Sequence, residues 1–497
     1  MTATIINCSK LRYPMKTHIL RFVLASTATL ASLNAHSADA LVESWFTPYS
    51  GKYARLYATD ADKNSGNAVS TWSRGAINQN IPARCGVYFV GSSADWVYIR
   101  STGLGSHIMG PWYLNAAHTM IFPNLPRNAA TLYRIPRNPS VPATKTLTGL
   151  GPIGYFVDGV AMFDTRDAFY WNGTREANGG GNWNRDAWVN ESVTFDPAQA
   201  HQPGDGTYHY HANPVALRYL LGDHVEFNAA TKTYSESTSP VTEHSPILAW
   251  VRDACPLYGP YGYANATNPA SGVRRMISGY VLRNGQNGTQ NLTAVGRGNI
   301  PPWALRLYNV AANQVIGPNV SAQYPLGRYM EDNDYLGDLG YTHGVDFDLD
   351  EHNGRFCVTP EFPNGTYAYF VSINSNGAPA FPYNIGRAFY GSPTGGSVAS
   401  IAETVVTNFV GGSNSVLKLS APVAAAGSGN ITLTWSSVEG GTYVVSGTSD
   451  FQNWTTIVAP SMTATGIVAT AADPGSAATD ALRFYRVTRT ALANSEN

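Results

Sequence analysis

The sequence predicts a mainly β protein, with a large multi-strand β-rich central domain, few short helices and a small C-terminal β-sandwich. Its 48 Gly and 30 Pro residues are scattered without a period, which indicates many tight turns. Its 29 Tyr residues suit pleated surfaces, where aromatic side chains pack well. Short runs of β-branched and aromatic residues, such as residues 87–90 and 96–99, lie between the turn residues and are typical of strands.

Helical signals are scarce by comparison. The clearest lies at residues 214–221, where Pro214 suits the first helical position and Asn213 suits the N-cap. One short helix is therefore predicted directly after the central motif described below.

Changes in composition divide the 497 residues into four segments. Residues 1–40 are predicted to be an export signal, residues 41–391 the β-rich domain, residues 392–415 a Gly- and Ser-rich linker, and residues 416–497 the sandwich. A hydrophobic fraction of 43% with only 13% charged residues supplies enough apolar surface for a large core.

The export signal is indicated by three features in order: a basic start (Lys10, Arg12, Lys16 and Arg21), an apolar run over residues 22–33, and a small-x-small pattern at residues 38–40. We therefore expect a secreted, periplasmic or cell-surface protein. Removal of this segment leaves 28 basic and 32 acidic residues, a balance that does not favour nucleic acid as a partner. No later stretch reaches the roughly 20 apolar residues of a membrane span, so no transmembrane segment is predicted.

The most distinctive motif is Tyr208-His209-Tyr210-His211. Alternate residues of a strand share a face, so His209 and His211 should point one way and Tyr208 and Tyr210 the other. Two imidazoles on one face can bind a single transition metal such as copper, zinc or iron. The motif therefore predicts a metal site that needs at least one further ligand.

Three nearby residues could complete this site: His244, His201 and Asp205. Each lies among turn residues close to the motif in sequence. The alternative interpretation is that His209 and His211 only hydrogen-bond buried backbone groups, as strand histidines often do. The sequence leaves both interpretations open.

Several motifs occur in a fixed order around this segment. They cover residues 151–154, 157–160, 205–211, 244–246, 258–262, 349–356 and 359–367. Together they resemble the YHYH-domain family of secreted bacterial proteins over most of residues 85–391. The resemblance implies a type of domain rather than a reaction, because the family has no established activity. The last segment resembles fibronectin-III-like modules through Trp435, Tyr443, residues 449–455 and residues 484–487.

Removal of the export signal, which contains Cys8, leaves three cysteines. An odd count in an oxidising compartment indicates one disulfide and one remaining thiol. Cys255 and Cys357 are the preferred pair because both lie in the segments assigned to one functional region. Their spacing alone leaves the connectivity open.

Residues 346–351 alternate carboxylates in a way that is typical of calcium loops, but they lack the Gly and Glu that an EF-hand requires at its sixth and twelfth positions. One interpretation is a solvated acidic strand edge. The other is a calcium site on a different plan, with Asp350 and Glu351 as the first candidates.

Two functions therefore remain. The first is a metalloprotein in which His209, His211 and His244 hold a transition metal, and which could be an enzyme if one coordination position stays open. The second is a non-catalytic extracellular protein that binds a glycan or a cell-surface partner, which the aromatic residues Trp112, Trp183, Trp188 and residues 258–263 would favour. No nucleophile elbow, phosphate-binding loop or H-E-x-x-H helix is present, so the sequence leaves catalysis open.

Overall fold

The computed structural model describes residues 2–7, 39–46, 51–311, 315–411, 417, 419–424, 429–437, 441–465, 468–474 and 483–491. Most of the predicted export signal lies outside these residues. The chain forms two compact units, Ser44–Ser415 and a second unit that contains the other described residues. Both are built mainly from strands, as predicted. Among the described residues, no helix has the length and apolar character needed to span a membrane.

The largest sheet of the Ser44–Ser415 unit has eight strands and contains the central motif. Two strand pairs are parallel, His209–Tyr210 with Ala161–Met162 and Pro256–Tyr258 with Thr366–Phe370, and the other pairs are antiparallel. Its strands are buried along nearly their whole length, so both faces of the sheet are covered. The strand order is Ala200–His201, His209–Tyr210, Ala161–Met162, Gly154–Phe156, Ile247–Val251, Pro256–Tyr258, Thr366–Phe370 and Gly354–Cys357.

A second sheet in this unit has five antiparallel strands. Its order is Gly396–Ser397, Thr131–Pro136, Trp96–Ser101, Val87–Ser92 and Val406–Val410. Smaller sheets and hairpins complete the strands of the unit: Glu176–Asn178 with Arg166–Trp171 and Asn184–Asp186, Arg55–Leu56 with Ile108–Met109, Trp72–Arg74 with Ile77–Gln79, Val225–Asn228 with Thr233–Glu236, Tyr261–Asn265 with Asn268–Arg275, and Tyr280–Leu282 with Asn333–Tyr335.

The two edge strands of the five-stranded sheet fall within the segment predicted as a linker. Gly396–Ser397 pairs with Thr131–Pro136, and Val406–Val410 pairs with Val87–Ser92. The Gly- and Ser-rich stretches are residues 392–397 and 411–415, so the first of them contains an edge strand itself and neither lies between the two strands. The composition of this segment does not indicate that its residues pair with the two edges of a neighbouring sheet.

The helices are short and few, as predicted. The α-helices span Ala40–Glu43, Asp60–Ser65, Ala187–Glu191, Val215–Leu220, Leu292–Val295 and Pro302–Tyr308, and 3-10 turns span Ser192–Thr194, Met330–Asp332 and Leu336–Leu339. The helix predicted after the central motif is Val215–Leu220, but Asn213 does not cap it. The Asn213 side-chain oxygen instead accepts a hydrogen bond from the buried guanidinium of Arg218.

The second unit is the small sandwich predicted at the C-terminus. One sheet contains Thr2–Asn7, Arg483–Ala491, Thr442–Thr448 and Thr455–Thr463, and the other contains Val423–Ala424, Ile431–Ser436 and Val468–Asp473. Apolar side chains from both sheets form one core that includes Leu433, Trp435, Tyr443 and Tyr485. Thr2–Asn7, which lies within the predicted export signal, pairs antiparallel with Arg483–Ala491 as an edge strand.

The predicted disulfide between Cys255 and Cys357 is wrong. Both side chains are buried, and no disulfide joins the cysteines of the described residues. Cys255 precedes Pro256–Tyr258 and Cys357 ends Gly354–Cys357, and Thr366–Phe370 lies between these two strands. Two strand spacings amount to roughly 10 Å, whereas the Cα atoms of a disulfide must approach within about 7 Å.

Candidate metal centre

Three histidines lie together at the edge of the eight-stranded sheet. His201 is the direct cross-strand partner of His209, and His211 follows two residues later on the same face. The ring centre of His209 lies 4.7 Å from the ring centre of His201 and 4.7 Å from that of His211. The sequence prediction that His209 and His211 share a face is therefore seen in the structure, and His201 is the third member of the cluster.

The turn that joins the two strands explains why His201 and His209 are opposite each other. The backbone N–H of Gly206 donates to the Pro203 carbonyl at 2.9 Å, and Gly206 has a positive φ of 81°. A Cβ at this position would also lie only 2.9 Å from side-chain atoms of Arg127 and Ile77. Glycine is thus required there, and the turn it permits sets the register of the two histidine strands.

The Nδ1 atoms of His209 and His211 both face backbone carbonyls. Nδ1 of His209 lies 2.9 Å from the Thr207 oxygen, and Nδ1 of His211 lies 2.7 Å from the Asp164 oxygen. A carbonyl oxygen can only accept, so both Nδ1 atoms carry hydrogen. In the neutral rings, the lone pair is therefore on Nε2.

The Nδ1 atom of His201 faces a hydroxyl instead, Oγ1 of Thr194, at 2.7 Å. That hydroxyl donates its hydrogen to the Glu191 carbonyl oxygen at 2.7 Å, so toward His201 it must accept. His201 consequently has the same tautomer as the other two histidines. All three rings are fixed with Nδ1–H directed outward and the Nε2 lone pair directed inward, an orientation that metal-binding histidines adopt.

The inward nitrogens converge on one point. Nε2 of His209 and Nε2 of His211 are 2.9 Å apart, and one nitrogen from each of the three rings lies within 4.8 Å of the others. Two nitrogens that bind one ion at about 2.0–2.1 Å lie roughly 2.9–3.4 Å apart. Two facing lone pairs at this distance are unfavourable unless a proton or a cation lies between them.

One carboxylate, that of Glu191, lies beside the three histidines. Oε2 of Glu191 lies 3.2 Å from Nε2 of His211 and 3.6 Å from Nε2 of His201. Glu191 is the last residue of the helix Ala187–Glu191, whose N-cap Asp186 accepts from the Val189 N–H at 2.9 Å. Its own neighbours in sequence form no ligand motif, so only the tertiary structure reveals it.

The electrostatics of the cluster divide the three histidines into two kinds. Burial lowers the pKa of His201 to about 3 and that of His209 well below its usual value. Burial also acts to lower the pKa of His211, but the hydrogen bond and negative charge of Glu191 outweigh it, and the pKa is raised. The surroundings therefore favour the neutral form of His201 and His209, and they favour the protonated form of His211.

Aromatic rings enclose the histidines. Phe163 stacks on His209 with ring centres 3.8 Å apart and an interplanar angle of 17°. Phe195 packs edge-on against His201 at 4.7 Å. These contacts restrict rotation of the imidazoles, so the ligand geometry is preorganised.

Two other predicted ligands lie elsewhere. His244 packs among the rings of Tyr258, Tyr263 and Phe370, and its Nδ1 lies 2.7 Å from the Ser245 carbonyl oxygen. Asp205 is exposed and accepts from the Thr207 N–H at 2.9 Å, which tightens the turn before the motif. Neither belongs to the three-histidine group.

The two tyrosines of the motif point away from the cluster and are buried. The hydroxyl of Tyr208 donates to Asp196 at 2.8 Å and lies 3.0 Å from Nε2 of His107. Tyr210 packs edge-on against Phe156 at 5.1 Å. Their position indicates a packing role on the opposite side of the strand.

The carboxylates proposed for calcium have protein partners. Asp350 accepts from the hydroxyl of Tyr367 at 2.9 Å and from the backbone N–H of His352 at 2.9 Å. Glu351 accepts from the guanidinium of Arg306 at 2.8 Å. Donors of the protein itself therefore make hydrogen bonds to both of these carboxylates.

The aromatic residues that could have formed a sugar-binding platform are mostly in the core. Trp112 and Tyr258 are 0% exposed and Trp183 is 1% exposed. Trp188 packs against Phe195 and Tyr383. Trp112, Trp183 and Tyr258 therefore fill the interior, whereas Trp188 is partly exposed.

The fold and the site define a mainly β protein with a buried cluster of three histidines and one glutamate beside a hydrophobic sheet. The profile of the YHYH protein family matches residues 132–381, half of the chain, and this range contains every member of the cluster. The chain belongs to the YHYH protein family. No curated protein and no solved structure gave a match to it.

Proposed function

We propose that this protein binds one transition-metal ion through Nε2 of His201, His209 and His211. The observation that carries the proposal is the common tautomer: three separate acceptors hold the three Nδ1–H groups outward, so that three lone pairs meet at one point. Imidazole nitrogen suits copper, zinc and iron and does not suit calcium. The close approach of His209 and His211 is relieved when a cation lies between their Nε2 atoms.

Metal content distinguishes this proposal from a purely structural role of the histidines. We expect the full chain to hold about one equivalent of a transition metal and the double variant His209→Ala/His211→Ala to hold almost none, because a single remaining imidazole binds weakly. The measurement is mass-spectrometric metal analysis after dialysis, with circular dichroism to check folding.

His244→Ala is the matched control, because the sequence nominates His244 as a ligand and the structure places it outside the cluster. This variant should keep its metal. A parent protein without metal, or a double variant that retains a full equivalent, would refute the proposed centre. Loss of metal in the folded His244→Ala variant would show that the ligand set is wrong.

As the pH is lowered below the pKa of His211, metal affinity is expected to decrease by about tenfold per pH unit, because the ion must displace one proton. Only one proton is involved because His211 has a raised pKa and is protonated on the acidic side of that pKa. His201 and His209 have lowered pKa values and are already neutral there. Above the pKa of His211 the affinity should level off. Titration of the affinity at a series of pH values measures the slope, and a slope of two or three protons, or none, would contradict this assignment.

A further inference from the structure

The members of the cluster differ in their exposure to solvent. The three histidines are almost completely buried, with exposed fractions of 7% for His201, 2% for His209 and 5% for His211. The side chain of Glu191 is 27% exposed. Phe163 stacks on His209 and Phe195 packs edge-on against His201, so Glu191 is the most solvent-exposed member of the cluster.

We propose that Glu191 is the fourth ligand of the metal, and that an exchangeable position beside it admits a small external ligand such as water or an anion. This inference rests on the proposed three-histidine centre. Oε2 of Glu191 lies 3.2 Å and 3.6 Å from the Nε2 atoms of His211 and His201. Donors that share one ion at about 2.0–2.2 Å are separated by roughly 3–3.5 Å, a range that the distance to His211 meets and the distance to His201 nearly meets.

Charge gives a second reason for the carboxylate. Three neutral imidazoles leave a divalent ion with its full double charge in a buried setting, which is costly. One carboxylate reduces the net charge of the centre to about +1 and makes the buried ion more stable. The remaining positive charge favours a small anion over a neutral or cationic molecule at the exchangeable position.

The backbone of Glu191 is held by the same hydroxyl that orients His201. Oγ1 of Thr194 donates to the Glu191 carbonyl and accepts from His201. At the other end of the helix, the buried Asp186 carboxylate accepts from the Tyr383 hydroxyl at 2.8 Å. The helix that carries Glu191 is thereby held at both ends.

The test uses the full chain loaded with Co²⁺, whose visible absorption reports the coordination of the ion. Four proteins are compared: the parent, Glu191→Gln, Glu191→Ala, and Glu243→Gln as a control at an exposed glutamate outside the cluster. Cobalt affinity, the absorption spectrum and the affinity for azide as a probe anion are measured for each.

We expect Glu191→Gln and Glu191→Ala still to bind one cobalt, with affinity at least about tenfold lower, and with an altered absorption spectrum. Azide should bind more tightly to Glu191→Ala than to the parent, because the carboxylate no longer occupies its position. The Glu243→Gln control should match the parent in all three measurements. These results would support Glu191 as a ligand.

Parent-like cobalt affinity, spectrum and azide affinity in both Glu191 variants would overturn the inference and leave the three-histidine centre standing. An absorption spectrum of the parent that does not respond to azide would overturn the exchangeable position. A parent that binds no cobalt, copper, zinc or iron would overturn the proposed function, and this inference would fail with it.

Discussion

Binding of the metal is expected to raise the free energy of unfolding by about 4 kcal/mol when the free ion is present at 1,000 times its dissociation constant. The reason is linkage: the folded chain brings His201 opposite His209 and fixes all three tautomers, whereas the unfolded chain offers the same imidazoles without this arrangement. The effect should appear as a higher melting temperature in calorimetry, and a chelator should reverse it.

The His209→Ala/His211→Ala variant is the control, and its melting temperature should not respond to the ion. His209 and His211 are close in sequence, so the unfolded chain retains weak affinity for the metal, and this reduces the shift below the ideal value. An equal shift in parent and variant would place the stabilising ion elsewhere. No shift in a parent that demonstrably holds one equivalent would mean that the unfolded chain binds it equally well.

The sequence predicts half of this centre because half of it is local. The side-chain period of a strand puts His209 and His211 on one face wherever that strand lies in the fold. The selection of His201 over His244 depends on pairing. His201 is joined to the motif strand by a tight turn with Gly206, whereas His244 precedes Ile247–Val251, a strand three positions away in the sheet.

The remaining parts of the centre have no signature in the sequence. Two of the three groups that fix the tautomers are backbone carbonyls, those of Thr207 and Asp164, and any residue type supplies a carbonyl. Glu191 reaches the cluster because a short helix ends beside it, and helices of five residues leave only weak patterns. Non-local packing therefore decides which carboxylate faces the histidines.

The fold class was predictable for a different reason. Turn residues and alternating apolar residues are local properties, so they indicate a mainly β chain without knowledge of its topology. Pairing order is not local, which is why the disulfide prediction failed. The expected oxidising compartment and the number of cysteines indicated a disulfide, but the strand Thr366–Phe370 lies between Cys255 and Cys357.

The Asp332→Ala substitution is expected to lower the free energy of unfolding by about 3–5 kcal/mol, because it leaves the charge of Arg297 buried without its partner. Both side chains are 0% exposed, and two hydrogen bonds of 2.6 and 2.7 Å join them. Arg297 also donates to the carbonyls of Pro318 and Pro325 at 2.9 and 2.8 Å. These carbonyls cannot neutralise the guanidinium, so the penalty remains. Urea denaturation followed by tryptophan fluorescence measures the loss.

The Arg306–Asp338 pair provides the matched comparison. Its nitrogen and oxygen are also 2.6 Å apart, but the Arg306 side chain is 48% exposed, so Asp338→Ala should cost no more than about 1 kcal/mol. The double variant Arg297→Met/Asp332→Leu should recover much of the stability lost in Asp332→Ala, since it removes the unpaired charge and keeps the volume filled. Equal losses for Asp332→Ala and Asp338→Ala would show that burial does not control the energetics of these pairs. A double variant less stable than Asp332→Ala would show that the guanidinium stabilises the surrounding loops through its carbonyl partners rather than through Asp332.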